Sequence, residues 1–107
     1  MGTKNEATGC ELWHYDGSNW VQYASGGFGD PNNIMAASSA GFEGSPYIGT
    51  ANEVTGTEVW KFDGTNWVQV NIDGFGDVNN VHTRAMQVWD GRLYVTACNM
   101  VTGIEIW

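Results

Sequence analysis

The sequence predicts an all-β protein, and three observations support this class. The chain repeats itself: Trp13, Trp60 and Trp107 are each 47 residues apart, and residues 8–54 match 55–101 at about 20 of 47 positions without a gap. Glycine and aromatic residues are abundant while only 15% of residues are charged, which is typical of chains with many tight turns. Helical spacing of apolar residues appears nowhere. An internal repeat of this length decides the architecture.

The repeat organises the whole chain as a single segment of 107 residues. Two full copies occupy 8–54 and 55–101, and a third copy begins at 102–107. The chain therefore begins late in one unit and ends partway through another. We expect this of a segment taken from a longer repeat array, natural or engineered.

Each copy contains four short runs rich in Val, Ile, Thr, Tyr and Trp, the residues that strands favour. In the second copy the predicted strands are Arg84–Trp89, Leu93–Cys98, Thr57–Phe62 and Trp67–Val70. Asp90-Gly91 separates two of them and is typical of a tight hairpin turn, since Gly adopts positive φ without strain. Residues 63–66, Asp-Gly-Thr-Asn, predict a second turn.

Four antiparallel strands in a unit of 47 residues indicate the blade of a β-propeller. A blade buries its faces only between neighbouring blades, so a ring of roughly four or more is expected. Because this chain carries about two, the sequence predicts a ring completed by homo-oligomerisation. A homotrimer with six blades is the first choice, and a tetramer or pentamer is the alternative. One of the terminal strands ending at Trp13 and Trp107 is then redundant.

Two motifs of the repeat carry a family resemblance. The strand–hairpin–strand run MQVWDG–RLYVTA and the turn with its tryptophan, KFDGTNW, resemble the kelch-like propeller repeat. The chain is also similar to bacterial repeats of the form LYVGTxNxxTGxEVW. The resemblance covers both copies and implies a propeller built from four-stranded blades.

The charge of the chain limits its partners. The formal net charge is −8, and Lys and Arg number only 4. Nucleic-acid binding requires clusters of basic residues, and anionic membrane surfaces attract them, so we expect neither partner. No apolar run is long enough to span a membrane. Neutral polar ligands, cations and basic proteins remain possible partners.

Polar residues recur in two loops of each copy, GFGDxNN and the Asn-x-x-Thr-Gly loop. On a propeller both loops reach the same mouth of the ring, which is the usual ligand face of that fold. The candidate ligand-binding residues there are Asp30, Asn32, Asn33, Asn52, Glu53, Asp77, Asn79 and Asn80. The alternative is structural, because Asp and Asn side chains also hydrogen-bond to turn backbone.

Glu58 and Trp60 form a second candidate site. They lie two residues apart on a predicted strand and therefore share one face. A Glu beside a Trp between blades resembles the fucose-binding propeller lectins, which implies a sugar site at Glu58 and Trp60. Packing of the tryptophan between blades is the alternative.

The two cysteines suggest a contact between chains. Cys10 aligns with Ile104, across a predicted hairpin from Cys98. A neighbour's N-terminal strand docked there would bring Cys10 close to Cys98 of the other chain, and an interchain disulfide is a hypothesis. Two unrelated small residues are the alternative.

No nucleophile–base pair, phosphate-binding loop or Cys/His cluster is visible, so we expect neither an enzyme nor a cofactor nor a metal site. The sequence predicts an oligomerising binding module, with lectin-like carbohydrate binding as the sharper form of this prediction. The predicted partners are further copies of the chain and a glycan. The alternative is a structural or protein-interaction scaffold, natural or engineered, with no small-molecule ligand.

Overall fold

A computed structural model describes residues 1–107 and is built from antiparallel β-strands without any α-helix. The all-β prediction is confirmed. The strands are β1 Leu12–Tyr15, β2 Trp20–Ala24, β3 Met35–Phe42, β4 Ser45–Ala51, β5 Val59–Phe62, β6 Trp67–Gln69, β7 Asn80–Trp89, β8 Arg92–Asn99 and β9 Gly103–Ile106. None of its elements is a helix with the length and apolar character needed to cross a membrane.

The strands form three units in chain order. The N-terminal hairpin pairs β1 with β2, the central sheet has the order β3-β4-β5-β6, and the C-terminal sheet has the order β7-β8-β9. The two sheets are joined at one residue pair, Ala51 and His82. Each repeat copy therefore supplies the outer strands of one unit and the inner strands of the next. The single chain does not close a ring.

The predicted strands of the second copy are all present, with shifted ends. β7 begins at Asn80 rather than Arg84, because its first residues already pair with β8 in the register Asn80–Asn99. β5 begins at Val59 rather than Thr57. Thr57 is outside the strand because its backbone N–H donates to Asn80 O, at 2.7 Å, in the following loop.

The predicted turns are also confirmed. Asp90 and Gly91 have φ of 50° and 71°, as a two-residue hairpin turn requires. In the turn between β5 and β6, Asp63 Oδ1 accepts hydrogen bonds from the N–H groups of Thr65 and Asn66, at 2.8 and 2.7 Å.

The apolar core lies between the central and C-terminal sheets. Tyr47 and Val59 of the central sheet pack against Met86 and Val95 of the C-terminal sheet. Gly49 allows this approach, because a Cβ at that position would overlap the side chain of Thr83. The faces of neighbouring units thus bury one another, which is the behaviour expected of stacked repeats.

Aromatic side chains also join each unit to the next. Phe28 stacks on Trp60 with ring centroids 5.4 Å apart, and Phe75 stacks on Trp107 at 5.1 Å. Trp67 packs edge-on against Tyr23 and donates its indole N–H to Tyr23 O at 3.1 Å. Trp60, Trp67 and Trp107 therefore pack between units, which was one of the two roles that the sequence left open.

Candidate functional site

Asn33 lies at the centre of a buried polar cluster between the N-terminal hairpin and the central sheet. Its side chain has no exposed surface. The Nδ2 group donates to Glu58 Oε2 at 2.6 Å and to Gly27 O at 2.9 Å. The Oδ1 atom accepts from Thr50 Oγ1 at 3.0 Å and from Asn52 Nδ2 at 3.1 Å. Every donor and acceptor of this amide has a partner, so Asn33 fastens the two units together.

The loop before Asn33 owes its shape to four consecutive residues with positive φ, Gly26–Gly29. Gly27 and Phe28 both have φ of 63° within the 3-10 turn Gly26–Gly29. Only glycine fits where this turn meets Gly9, because a Cβ at Gly9 would lie 2.5 Å from Gly27 N. The strained conformation of Phe28 is compensated by its stacking on Trp60.

Asn52 connects the two polar loops, as the sequence predicted for their common side of the fold. Its Nδ2 group donates to Asp30 Oδ2 at 3.1 Å. Its Oδ1 atom accepts from the N–H groups of Val54 and Thr55, both at 3.0 Å, and so closes an Asx turn. The Asn52 side chain is fully buried and its hydrogen-bonding groups are engaged within the chain.

Glu58 and Trp60 share one face, as predicted, and they contact each other. Trp60 Nε1 donates to Glu58 Oε2 at 2.8 Å, the same oxygen that Asn33 binds. Burial raises the pKa of Glu58, and the hydrogen bonds from Asn33 and Trp60 oppose this rise without cancelling it. Phe28 stacks nearly parallel to Trp60, at an interplanar angle of 14°, so one face of the indole is covered.

The equivalent cluster in the second copy is less complete. Asn80 Nδ2 donates to Gly74 O and to Glu105 Oε2, both at 2.9 Å. Asn80 Oδ1, however, is buried without a hydrogen-bond partner. Both donors to Asn33 Oδ1 lack a counterpart here: Ala97 stands at the position of Thr50, and Asn99 Nδ2 donates to Asp77 but not to Asn80.

Asp77 links the loops of the second copy. Its Oδ2 accepts from Asn99 Nδ2 at 3.0 Å, and its Oδ1 accepts from the backbone N–H and the Nδ2 of Asn79, both at 2.9 Å. The hydrogen bonds from the Asn79 backbone and from Asn99 lower the pKa of Asp77. The carboxylate therefore carries its charge on the loop side of the fold.

The ten candidate residues separate by burial. Asn33, Asn52, Asn80 and Glu58 are buried, Trp60 is half-buried, and Asp30, Asp77 and Asn79 are half-buried members of turns, whereas Asn32 and Glu53 are exposed. The exposed oxygens can accept hydrogen bonds from a hydroxylated ligand. The structure has no group of three or more His, Cys, Asp or Glu side chains that could hold a metal ion.

Two structural members of these clusters were not among the candidates. Thr50 donates to Asn33, and Glu105 accepts from Asn80. The sequence does contain a signal for them: the Asn33–Glu58 and Asn80–Glu105 pairs are both separated by 25 residues. A fixed spacing between an amide and a carboxylate in both copies indicates a contact between units.

Two apolar surfaces lie at opposite ends of the molecule. The N-terminal cleft has a volume of about 470 Å³, and its lining includes Leu12, Trp13, Tyr23, Ser39, Tyr47 and Ile48. The C-terminal patch is formed by Gln87, Trp89, Tyr94, Thr96 and Ile106. The patch occupies the same repeat positions that pack into the core in the central sheet, since Tyr94 and Ile106 correspond to Tyr47 and Val59.

Comparison with known proteins found no matching family model, no similar characterised protein and no similar solved structure.

Proposed function

We propose that the chain is an oligomerising β-propeller segment, a self-assembling scaffold in which copies of the chain complete a ring of blades. The observation that carries this proposal is the unpaired outer edge of β9. Its side chains Ile104 and Ile106 are 70% and 69% exposed. In the central sheet the equivalent strand, β5, is covered by β6. An open strand edge with apolar side chains favours pairing with another chain.

Trp20 supports the same proposal from the other end of the molecule. Its repeat equivalent, Trp67, is half-buried because Tyr23 and Phe28 of the preceding unit cover it. Trp20 has no preceding unit in the single chain and is 57% exposed. A further copy placed before the N-terminal hairpin would cover Trp20 as Trp67 is covered.

The polar clusters favour a scaffold over a ligand-binding module. Asn33, Asn52 and Glu58 hold neighbouring units together through hydrogen bonds to protein groups. A ligand would have to break these bonds, and each unsatisfied buried group would cost about 1–3 kcal/mol. The proposal includes no catalytic step and no cofactor.

The two copies per chain give a single closed ring an even number of blades. The C-terminal sheet of one chain and the N-terminal hairpin of the next make one shared blade, so each chain contributes two blades. A homotrimer with six blades is the assembly that we propose first, with a tetramer or a pentamer as the alternatives. The kelch-like and bacterial repeat resemblances of the sequence support this architecture.

The mass of the assembly tests the proposal. Light scattering of the folded 107-residue chain in reducing buffer should give a whole multiple of 11.7 kDa, and we expect the mass of three chains. Trp89→Glu introduces a charge into the C-terminal patch, where Trp89 is 67% exposed in the single chain, and should lower the mass. Val68→Glu on the outer strand β6 is the matched control and should leave the mass unchanged. A folded wild-type sample with the mass of one chain would overturn the proposal.

Glycan binding is the second candidate function, and the repeated contact between the two polar loops favours it. The Asn52–Asp30 hydrogen bond joins the two loops that carry the exposed Asn32 and Glu53 side chains, and the Asn99–Asp77 bond repeats this contact in the second copy. A glycan array should then give hits that Asn32→Ala and Glu53→Ala remove. An array without hits would leave the scaffold function alone.

A further inference from the structure

We infer that the N-terminal hairpin of a second copy replaces β9 on β8, and that this exchange sets Cys10 of the second copy directly opposite Cys98, where oxidation joins the two chains. The inference rests on the proposed assembly and specifies its interface. It also makes the ring a structure that a disulfide-forming environment locks covalently.

β1 and β9 are equivalent strands of the repeat. Glu11 and Trp13 occupy the repeat positions of Glu105 and Trp107. Glu105 accepts a hydrogen bond from Asn80, while Glu11 has only Trp13 Nε1 as a side-chain donor, at 2.9 Å. Asn80 of another chain is the donor that Glu11 lacks.

Two strands compete for β8: β9 of the same chain and β1 of the second copy. β9 brings one strand and leaves its outer edge open. β1 is already paired with β2, so its docking adds two strands and yields the same four-stranded order as the central sheet. Trp13 would then replace Trp107 in the stack on Phe75. The exchange therefore keeps the contacts of β9 and adds the strand that β9 lacks.

The surfaces beside these strands also fit the exchange. In the exchanged arrangement the patch residues on β7 and β8 enter the N-terminal cleft of the next chain, and Leu12 of that chain takes the place of Ile106. Thr96 then faces Ala36 and Ser39. Within the chain the equivalent contact places the small Gly49 against the larger Thr83 and Met86. Between chains the larger Thr96 lies against the smaller Ala36 and Ser39, so the sizes of the residues on the two sides compensate. Residues 1–4 must leave the cleft, because Gly2, paired with Leu12, occupies the repeat position of Thr96.

The register of β8 around Cys98 supports the disulfide. Cys98 pairs with Ile104. Val95 and Trp107 exchange both backbone hydrogen bonds, at 2.8 and 2.9 Å. Because such pairs alternate along an antiparallel ladder, Cys98 and Ile104 form a non-hydrogen-bonded pair, with Cα atoms about 4.5 Å apart. Cys10 takes the position of Ile104 in the exchange, and this spacing lies within the range of disulfides.

The direction of the Cys10 side chain also supports the disulfide. Its repeat equivalent in the central sheet, Thr57, donates Oγ1 to Thr50 O at 2.6 Å and therefore points toward β4. β4 is the counterpart of β8, so the Cys10 sulfur is directed toward the Cys98 strand of the partner. Both cysteines are free in the single chain, Cys10 buried and Cys98 half-buried.

The oxidant in this proposal is a small disulfide such as oxidised glutathione. The Cys98 thiolate attacks one glutathione sulfur, forms a mixed disulfide and releases a glutathione thiolate. Cys10 then loses its proton to solvent, attacks Cys98 Sγ and expels the second glutathione thiolate. Two protein thiols are oxidised, one glutathione disulfide is reduced, and one bond joins the chains. Because burial raises the pKa of Cys10 to about 11, the second step should be the slower one.

Non-reducing gel electrophoresis after incubation with oxidised glutathione tests the inference. Wild-type protein should become covalently linked oligomers up to the mass measured by light scattering, and reductant should return them to single chains. Cys10→Ser and Cys98→Ser should each abolish the linkage. An equimolar mixture of the two variants should form covalent dimers and nothing larger, because each variant chain retains a single cysteine and can form only one disulfide.

A displaced cysteine is the matched control. Thr96→Cys in a Cys98→Ser background keeps the strand and its face but moves the sulfur about 7 Å along β8, too far to bridge Cys10. Linkage of that control equal to wild type would overturn the register. A multi-chain mass without any linkage would overturn the inference while the assembly stands, whereas a single-chain mass would overturn both. A faster-migrating oxidised monomer would indicate an intrachain bond and also overturn the inference.

Discussion

At the scale of single residues, the two asparagines that end the GFGDxNN loops differ in one atom's environment. Asn33 uses all of its hydrogen-bonding capacity, whereas Asn80 Oδ1 is buried without a partner. One cause is a substitution between the copies, Thr50 against Ala97, and the other is that Asn99 donates to Asp77 but not to Asn80, whereas Asn52 donates to Asn33. A buried polar atom without a partner costs free energy that a suitable donor recovers.

Ala97→Thr should therefore stabilise the protein. The new hydroxyl would donate to Asn80 Oδ1 as Thr50 donates to Asn33, and the free energy of unfolding should rise by about 1 kcal/mol. Urea denaturation at a fixed protein concentration measures this. Thr50→Ala is the reciprocal variant and should lose about 1–3 kcal/mol. Equal destabilisation by both variants would contradict the assignment.

Glu58 should make stability depend on pH. Its folded-state pKa lies above the ordinary value of 4.5, so the folded chain binds this proton more tightly than the unfolded chain. The resulting stabilisation is fully present below about pH 4.5 and is lost as the pH rises through the folded-state pKa. The wild type should lose stability relative to Glu58→Gln across that window, as measured by urea denaturation at several pH values. Glu53→Gln, at an exposed position, should follow the wild type, and a pH-independent difference for Glu58→Gln would refute the prediction.

At the scale of elements, the repeat places each loop against the next sheet through close backbone contacts. Gly56 meets Gly74 as Gly9 meets Gly27, and a Cβ at Gly56 would lie 2.7 Å from Gly74 Cα. Gly64, in the β5–β6 turn, has nearly the same φ, 102° against 99°, but has no atom near the position of a Cβ. Substitutions at Gly56 and Gly64 therefore distinguish the effect of backbone strain from the effect of steric crowding.

Gly56→Ala should therefore be more damaging than Gly64→Ala. Both variants carry the strain of positive φ, roughly 1–3 kcal/mol. Gly56→Ala adds overpacking of about 1–3 kcal/mol more, because the contact is with backbone that cannot move aside. Denaturation of the two variants under the same conditions measures the difference. Equal losses would mean that the loop yields without cost.

At the scale of the whole molecule, stability and assembly are coupled in our proposal. The C-terminal patch and the edge of the C-terminal sheet are exposed in the single chain, and a neighbouring copy covers both in a ring. Binding between copies stabilises the folded state by mass action. The melting temperature should rise with protein concentration.

A tenfold increase in protein concentration should raise the melting temperature by roughly 4–8 °C. Thermal melts followed by circular dichroism over a concentration series provide the measurement. Trp89→Glu should flatten this dependence, and Val68→Glu should keep it. A wild-type melting temperature that does not change with concentration would argue against assembly.

Much of the fold was accessible from the sequence because its signals are local. The strands, the Asp90-Gly91 hairpin and the Asp63 turn depend on residues near one another in the chain, and the structure confirms them. The candidate site was accessible only in part. The sequence indicated that Asn52 and Asp30 lie on one side, but the burial of Asn33 and Asn80 depends on a loop folding over the next sheet.

Local signals are enough to specify a repeat of strands and turns, because periodic tryptophans, glycines and Asp-Gly pairs act over a few residues. Which polar side chains face inward depends instead on how the units pack. Asn33 reaches Glu58 across 25 residues because two units pack face to face, and the same packing leaves β9 with an open edge. Contacts between units depend on the relative placement of whole sheets, and that placement is settled by burial of the core rather than by local preference.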